Sequence, residues 1–254
     1  VLFGRHSQSP IPVIAPSTPG DCFHSILEAF RMAVKYMTPV IVISDGYLAN
    51  SAEPWQIPDV DSLERTEIEF AKPIDVGEFQ PYSRDPETLA RPWAIPGTPG
   101  LEHRIGGLTK QDGTGNVSYD ADNHAKMIEL RKQKIERIAD TIPPVEVDGP
   151  DSGELLVLGW GGTKGSITAA VEQSRSEGMT VSQVHLRHLN PFPSNLGDVL
   201  KSFKKVLLPE LSDGHLAMLL RSKYLIDIQM LNKIEGQPFK IAELTAAMKE
   251  LYDR

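Results

Sequence analysis

Cysteine is almost missing from this sequence: Cys22 stands alone among 254 residues. One thiol cannot form an internal disulfide, nor can it supply the four thiolates of an iron–sulfur cluster. Long apolar runs are also missing, and none approaches the ~20 residues that span a bilayer. Basic residues are outnumbered, with 26 Lys and Arg against 34 Asp and Glu, giving a formal net charge of −8. They form no basic face, which argues against nucleic acid as a partner, because phosphate contacts need one. Val1 to Arg5 lacks the charged-then-apolar layout of a secretion signal. The single thiol fits a reducing cytoplasm, which is the expected compartment, and a disulfide-free secreted protein would share it. There is no internal repeat and no low-complexity tract.

What is present begins as a β-α-β unit. Ile11 to Ala15 is a short apolar strand candidate, and Pro39 to Ile43 suits a strand buried on both faces. Between them Phe23, Ile26, Leu27, Phe30, Ala33, Val34 and Met37 recur at helical spacing and predict a buried stripe. Thr18 reads as the N-cap, Pro19 as the first helical residue and Asp21 as the acid of the first turn. Two strands leave a sheet largely uncovered, and no initiator methionine opens the chain. The expectation is that the first strands of this domain lie in sequence not shown here.

Residues 53 to about 120 change character, with Pro54, Pro58, Pro73, Pro81, Pro86, Pro92, Pro96 and Pro99 interrupting every helical window. Gly97, Gly100, Gly106 and Gly107 add turns. The stretch reads as an irregular arm laid over a partner or another domain, anchored by Trp55, Phe70, Phe79, Tyr82 and Trp93. A helix over Asp122 to Ile142 follows, with Ile128, Ile135, Ile138 and Ile142 on one stripe and Pro143-Pro144 as its stop. From Asp151 strands and helices alternate, which implies a parallel sheet with helices on both faces. The predicted strands are Glu154–Trp160, Thr180–His188 and Lys205–Glu210. The predicted helices cover Ser166–Glu177, Asn195–Phe203, Gly214–Leu225 and Ile241–Tyr252.

Ligands of open parallel sheets bind beyond the carboxyl ends of the strands. There the sequence offers Pro16-Ser17-Thr18, a helix start with N–H groups for an anion, and Ser44-Asp45-Gly46. Each also reads as a turn or a cap. Gly159 to Gly165 lies between a strand and a helix, but its G-x-G-x-x-x-G spacing is neither the dinucleotide fingerprint nor a P-loop. It reads as a tight turn or as a phosphate loop. Cys22 lies near a helix N-terminus, a place that can lower a thiol's pKa, and the commoner reading of such a residue is a small buried hydrophobe. No histidine spacing suggests zinc. Asp112-Gly113-Thr114-Gly115-Asn116 lacks the preceding glycine and the paired asparagines of a thiamine diphosphate motif, and reads as a turn.

Several long segments resemble the α subunits of 2-oxoacid:ferredoxin oxidoreductases, of the 2-oxoglutarate type. They are Phe3-Gly4-Arg5-His6-Ser7, Ala15 to Phe23, Thr38 to Asn50, Glu53-Pro54-Trp55, Gly100 to Leu108, Asp112 to Val117 and Leu189-Asn190-Pro191-Phe192-Pro193. The resemblance implies oxidative decarboxylation of a 2-oxoacid to an acyl-CoA, with electrons passing through iron–sulfur clusters to ferredoxin. It implies an α/β fold in three parts: residues 1–52 ending a pyrimidine-binding thiamine domain, an arm and helix over 53–150, and a transketolase-C-terminal-like α/β domain over 151–254. Thiamine diphosphate and magnesium would be shared with a β subunit that holds the diphosphate and a cluster, and no metal would bind this chain alone. The other partners implied are the preceding α region, ferredoxin, CoA and the 2-oxoacid.

The family's main catalytic residues are expected upstream of Val1. Within this chain the catalytic candidates are Arg5, to attract a carboxylate, and His6, for proton transfer or CoA contact. Ser44 and Asp45 are the cofactor-binding candidates. Surface turn residues are the plainer reading of all four. Leu211-Ser212-Asp213-Gly214-His215-Leu216 departs from the family's Asn-x-Gly-Gln-Leu arrangement, which puts an inter-subunit contact by that amide in doubt. A non-catalytic assembly module and a nucleotide-binding protein using Gly159–Gly165 are the competing functions.

Overall fold

A computed structural model describes residues 1–73, 78–105 and 107–254, so the predicted Gly106 turn falls outside the described residues. The chain divides into two compact units that interleave along the sequence. One comprises Val1–Pro12, Leu27–Ile41 and Gln56–Thr141; the other comprises Val13–Ile26, Val42–Trp55 and Ile142–Arg254. This division cuts across the linear one expected at residues 52 and 150.

The expected β-α-β segment is present as β1 (Val13–Ile14), α1 (Pro19–Tyr36) and β2 (Ile41–Val42), followed by a short α2 (Gly46–Asn50). The strands run in parallel, since Ile41 N–H donates to the Pro12 carbonyl at 2.9 Å and Ile43 N–H to that of Ile14 at 2.8 Å. Helix α1 departs from expectation in its facing. The buried positions are Ser25, Ala29, Met32 and Tyr36, whereas Phe23, Ile26 and Phe30 are exposed at 38, 57 and 56%. The helix is apolar along two stripes, and periodicity alone selects the bulkier one.

In the first unit the arm is irregular as predicted, with one 3₁₀ turn at Val60–Ser62 and isolated bridges such as Phe70 to Trp93. It folds on residues of its own unit. Trp93 Nε1–H donates to the Val34 carbonyl at 3.0 Å, and Arg137 donates to the carbonyls of Pro86 and Glu87 at 2.6 and 2.9 Å. Helix α3 (Ala121–Arg137) runs into a 3₁₀ turn over Ile138–Asp140. Asp120 caps it by accepting from Asn123 N–H at 2.6 Å. Ile135, Ile138 and Ile142 are buried and Ile128 is half-buried, as the stripe required. Asp112 to Asn116 is indeed a turn: Gly113 and Gly115 have φ of 78 and 74°, and Gln111 N–H closes it on the Asn116 carbonyl at 2.7 Å.

The second unit is built on a parallel four-stranded sheet of order β4-β3-β6-β7, from β3 (Gly153–Trp160), β4 (Val181–Leu186), β6 (Phe203–Glu210) and β7 (Gln229–Asn232). Leu155, Leu156, Val157 and Leu158 are all at most 1% exposed, so β3 is covered on both faces. Helices α4 (Lys164–Ser176) and α7 (Ile241–Asp253) meet over one face, where Ile167, Val171, Leu244 and Met248 pack with Leu155, Val157 and Leu207. The remaining helices are α5 (Leu196–Lys201) and α6 (His215–Tyr224). The predicted strand Thr180–His188 is in fact two. It breaks at Arg187, and β5 (His188–Asn190) turns away to pair antiparallel with β1.

Candidate functional site

In the second unit the start of α1 and the turn after β2 supply the side chains picked out from sequence. Thr18 caps α1, its Oγ1 accepting from Asp21 N–H at 3.1 Å. Its hydroxyl donates to Glu53 Oε1 at 2.9 Å, and Gly20 N–H donates to the same oxygen. Asp21 accepts from Ser17 N–H at 2.9 Å and pairs with Arg187 at 2.9 Å, while Arg187 Nη2 reaches Ser25 Oγ at 3.0 Å. The N–H groups expected to receive an outside anion thus already serve the chain's own oxygens.

The glycine loop behaves the same way. Asp45 Oδ1 accepts from Leu48 N–H at 2.8 Å, capping α2, and Oδ2 accepts from Gly162 N–H at 3.0 Å. Gly161 has φ of 58°, and a Cβ on Gly162 would collide with the Asp45 carboxylate, so the turn needs both glycines. Asp45 occupies the position a phosphate would take in this loop, which weighs against the nucleotide-binding reading of Gly159–Gly165.

Cys22 sits beside these carboxylates. Burial raises its thiol above the ordinary value and the charges of Asp21, Asp45 and Glu53 add to this, while a hydrogen bond with Ser44 opposes them. The lowered value that a place near a helix N-terminus could give is overturned, because burial first and these acids after it raise the thiol.

At the end of β4, His185 lines a cavity of about 470 Å³ with Lys164, Thr168, Gln183, Arg187 and His188. Burial, and then the charge of Lys164, push the imidazole down to about 4. Its Nε2 is buried and has no hydrogen-bond partner among the described residues. In sequence His185 is one of the histidines whose spacing suggests no zinc, and nothing there marks its burial.

Arg5 and His6 belong to the first unit and are exposed. They form a 3₁₀ turn in which Arg5, His6 and Ser7 all have positive φ, at 58, 51 and 59°. Three consecutive non-glycine residues in the left-handed region hold strain of the kind that gathers at functional sites. Arg5 anchors the turn by donating to the Ser9 carbonyl at 2.8 Å and to that of Val1 at 3.3 Å.

A thiamine diphosphate would need free N–H donors and a metal-bridging acid for its charged end. Neither the two anion-ready turns nor Asp112 offers that end a place. The N–H groups facing Asp45 and Glu53 are taken, and Asp112 is held by Arg84 and Lys126, each at 2.7 Å. Among the described residues no group of three or more His, Cys, Asp or Glu is placed to hold a metal ion. No described helix is long and apolar enough to cross a membrane.

Residues 1–122 match the thiamine-diphosphate-binding family model of pyruvate flavodoxin/ferredoxin oxidoreductases, and residues 153–244 match core domain II of pyruvate:ferredoxin oxidoreductase. The chain is 53% identical over 245 residues to the 2-oxoglutarate oxidoreductase subunit KorA of Mycobacterium tuberculosis, which covers 96% of this chain and 37% of that protein. The 2-oxoglutarate synthase subunit KorA of Methanothermobacter marburgensis is 25% identical over 92% of this chain and 62% of its own length. A solved 2-oxoglutarate:ferredoxin oxidoreductase from Magnetococcus marinus, with 2-oxoglutarate, coenzyme A and succinyl-CoA bound, superposes with a TM-score of 0.88 at 27% identity, covering 96% of this chain and 42% of that one. The chain therefore spans less than two thirds of the length of each of these proteins.

Proposed function

From the premise that the chain belongs to the 2-oxoacid:ferredoxin oxidoreductase α-subunit family, we propose that it works as part of a 2-oxoglutarate:ferredoxin oxidoreductase. The reaction is 2-oxoglutarate plus CoA to succinyl-CoA and CO₂, with two electrons passing to ferredoxin. The observation that carries this reading is the 53% identity to a 2-oxoglutarate oxidoreductase subunit over nearly the whole chain. The site geometry supports a subunit role, because carboxylates of the chain itself fill its anion-ready turns. In this reading the diphosphate, magnesium and an iron–sulfur cluster are held by a β subunit, in the cytoplasm.

The exposed stripe Phe23, Ile26 and Phe30 supports assembly, since apolar side chains on one helix face gain from being covered. A pyrimidine-binding part over 1–52, an arm over 53–150 and a second α/β domain over 151–254 remain the proposed ancestry of the segments. The proposed site residues are Arg5 and His6, presented by their strained turn to the substrate carboxylate or to CoA, and Ser44 and Asp45 on the cofactor side. Asp45 would act there by fixing the turn.

The test is to purify the complex containing this chain and measure viologen reduction with 2-oxoglutarate and CoA. Activity requiring both substrates is expected, and Arg5→Gln should raise KM for one of them by roughly tenfold, the loss of one charge-assisted hydrogen bond. A complex that turns over pyruvate but not 2-oxoglutarate would overturn the substrate assignment. One with no 2-oxoacid-dependent reduction would overturn the reading as a whole.

A further inference from the structure

The first unit contains a basic cavity that the proposed function does not use. It has a volume of about 200 Å³ and is lined by Tyr82, Arg84, Arg91, Arg131 and Lys134, with the Met37–Pro39 turn closing one side. Arg131 and Lys134 lie three residues apart on α3, which sets two like charges on one face of the helix at a cost. Arg84 and Arg91 come from the arm, on either side of its turn, and both cations lie over the Tyr82 ring, with distances of 5.5 and 4.6 Å to its centroid.

Among the described residues no acidic side chain lines this cavity. Among the described residues, three of the cations hold only neutral acceptors within the unit. Arg131 Nε donates to the Gln8 carbonyl at 2.8 Å, Lys134 Nζ to that of Met37 at 3.2 Å, and Arg91 Nη1 to that of Pro81 at 3.5 Å. Arg84 pairs with Asp112, but that carboxylate is shared with Lys126 and leaves the pair with excess positive charge. Among the described residues, Arg91, Arg131 and Lys134 pair with no carboxylate. Burial and these neighbours push Lys134 down to about 8, so the crowding is felt. The second unit, by contrast, places its own acid at each anion-ready turn.

We propose that Arg84, Arg91, Arg131 and Lys134 form a binding site for a small oxyanion of the phosphate class, free or as the phosphate group of a larger ligand. Planar guanidinium groups converging with an ammonium suit a tetrahedral oxyanion, which can accept from all of them at once. The cavity, of about 200 Å³, admits a phosphate or sulfate group and leaves room for part of a larger ligand that carries one.

The test uses the assembled complex in buffer free of phosphate and sulfate. Calorimetric titration with inorganic phosphate, with sulfate and with a nucleoside monophosphate is compared with chloride at matched ionic strength. A saturable signal above chloride is expected, weakened roughly tenfold in Arg131→Gln and in Lys134→Met. Phosphate sites elsewhere in the complex give a background that these substitutions leave unchanged. Tighter binding of the nucleotide assigns the site to a larger ligand, and tighter binding of phosphate assigns it to the free anion; both support the site. If Arg131→Gln fails to fold, Arg91→Gln replaces it, because its carbonyl contact is long and contributes little to the fold. A signal no greater than chloride, or the same signal in every variant, overturns the proposal. Neither result depends on which 2-oxoacid the complex oxidises.

Discussion

Replacing Lys134 by methionine tests whether the cations of the first unit are crowded in the way their geometry requires. Burial, then the charges of Arg84, Arg91 and Arg131, lower this ammonium from 10.5 to about 8. A drop of that size means that keeping the charge in the folded state costs roughly 3 kcal/mol. Lys134→Met removes this cost and gives up one hydrogen bond to the Met37 carbonyl, a loss of about 1–2 kcal/mol. The variant should therefore be more stable at pH 7 by about 1–2 kcal/mol. The unfolded chain keeps the lysine proton up to about 10.5, whereas the folded chain releases it near 8. Between those values the unfolded state binds more protons, so the native protein gains stability as pH rises and the variant does not. The methionine advantage should shrink by roughly 2.5 kcal/mol between pH 7 and 10, and reverse. Urea unfolding followed by tryptophan fluorescence at a series of pH values reads this difference, in which groups common to both proteins cancel. Added sulfate should flatten the dependence by neutralising the cluster. A stability difference that stays constant from pH 7 to 10 would refute the reasoning.

In the second unit Asp45→Ala removes the α2 cap and orphans the Gly162 N–H, so urea unfolding should show a loss of about 2–3 kcal/mol; a variant as stable as the parent would show the contact to be idle. His185 is held down to about 4 by burial and Lys164. The unfolded chain takes up that proton near 6.5 and the folded chain only near 4, so stability should fall as pH drops through this window and level off below it. Ring-proton NMR should show no His185 titration above pH 5, and a midpoint near 6.5 would refute the burial argument.

Periodicity made the helices legible. Phe23 to Met37 and Ile128 to Ile142 announced α1 and α3, and Thr18 was a correct N-cap because its hydroxyl needs only a neighbouring N–H. The facing of α1 was not legible, because burial of Ala29 and Met32 in place of Phe23 and Phe30 depends on what packs there. Strand β7 escaped notice because Gln229-Met230-Leu231-Asn232 is a short edge strand with little apolar weight. The break at Arg187 was invisible because the pull on it comes from Asp21 and Ser25, far away in sequence. Glu210 was read only as the end of a strand. It is fully buried, accepting from Leu216 N–H at 3.1 Å, Ala217 N–H at 3.0 Å and Ser212 Oγ at 2.9 Å. Its signal was local: an acid closing an apolar strand, with Ser-Asp-Gly leading into a helix.

The candidate site shows why residue type alone misdirects. A glycine loop and a helix start each promise an anion, because free N–H groups are the expected feature of both. Sequence cannot show that Asp45, more than a hundred residues before Gly162, turns its carboxylate into that loop, or that Glu53 does the same for Gly20. Once those carboxylates are in place, the turns are satisfied and rigid, and an added phosphate would have to displace a charge already paired at no translational cost. The opposite holds in the first unit. There two arginines lie in a proline-rich arm, a third arginine and a lysine lie on a helix, and no motif joins them. Folding nonetheless brings their charges together with, among the described residues, only the Asp112 carboxylate beside them. Vacant electrostatic demand therefore points to the cation cavity, and the familiar glycine pattern to a structural turn.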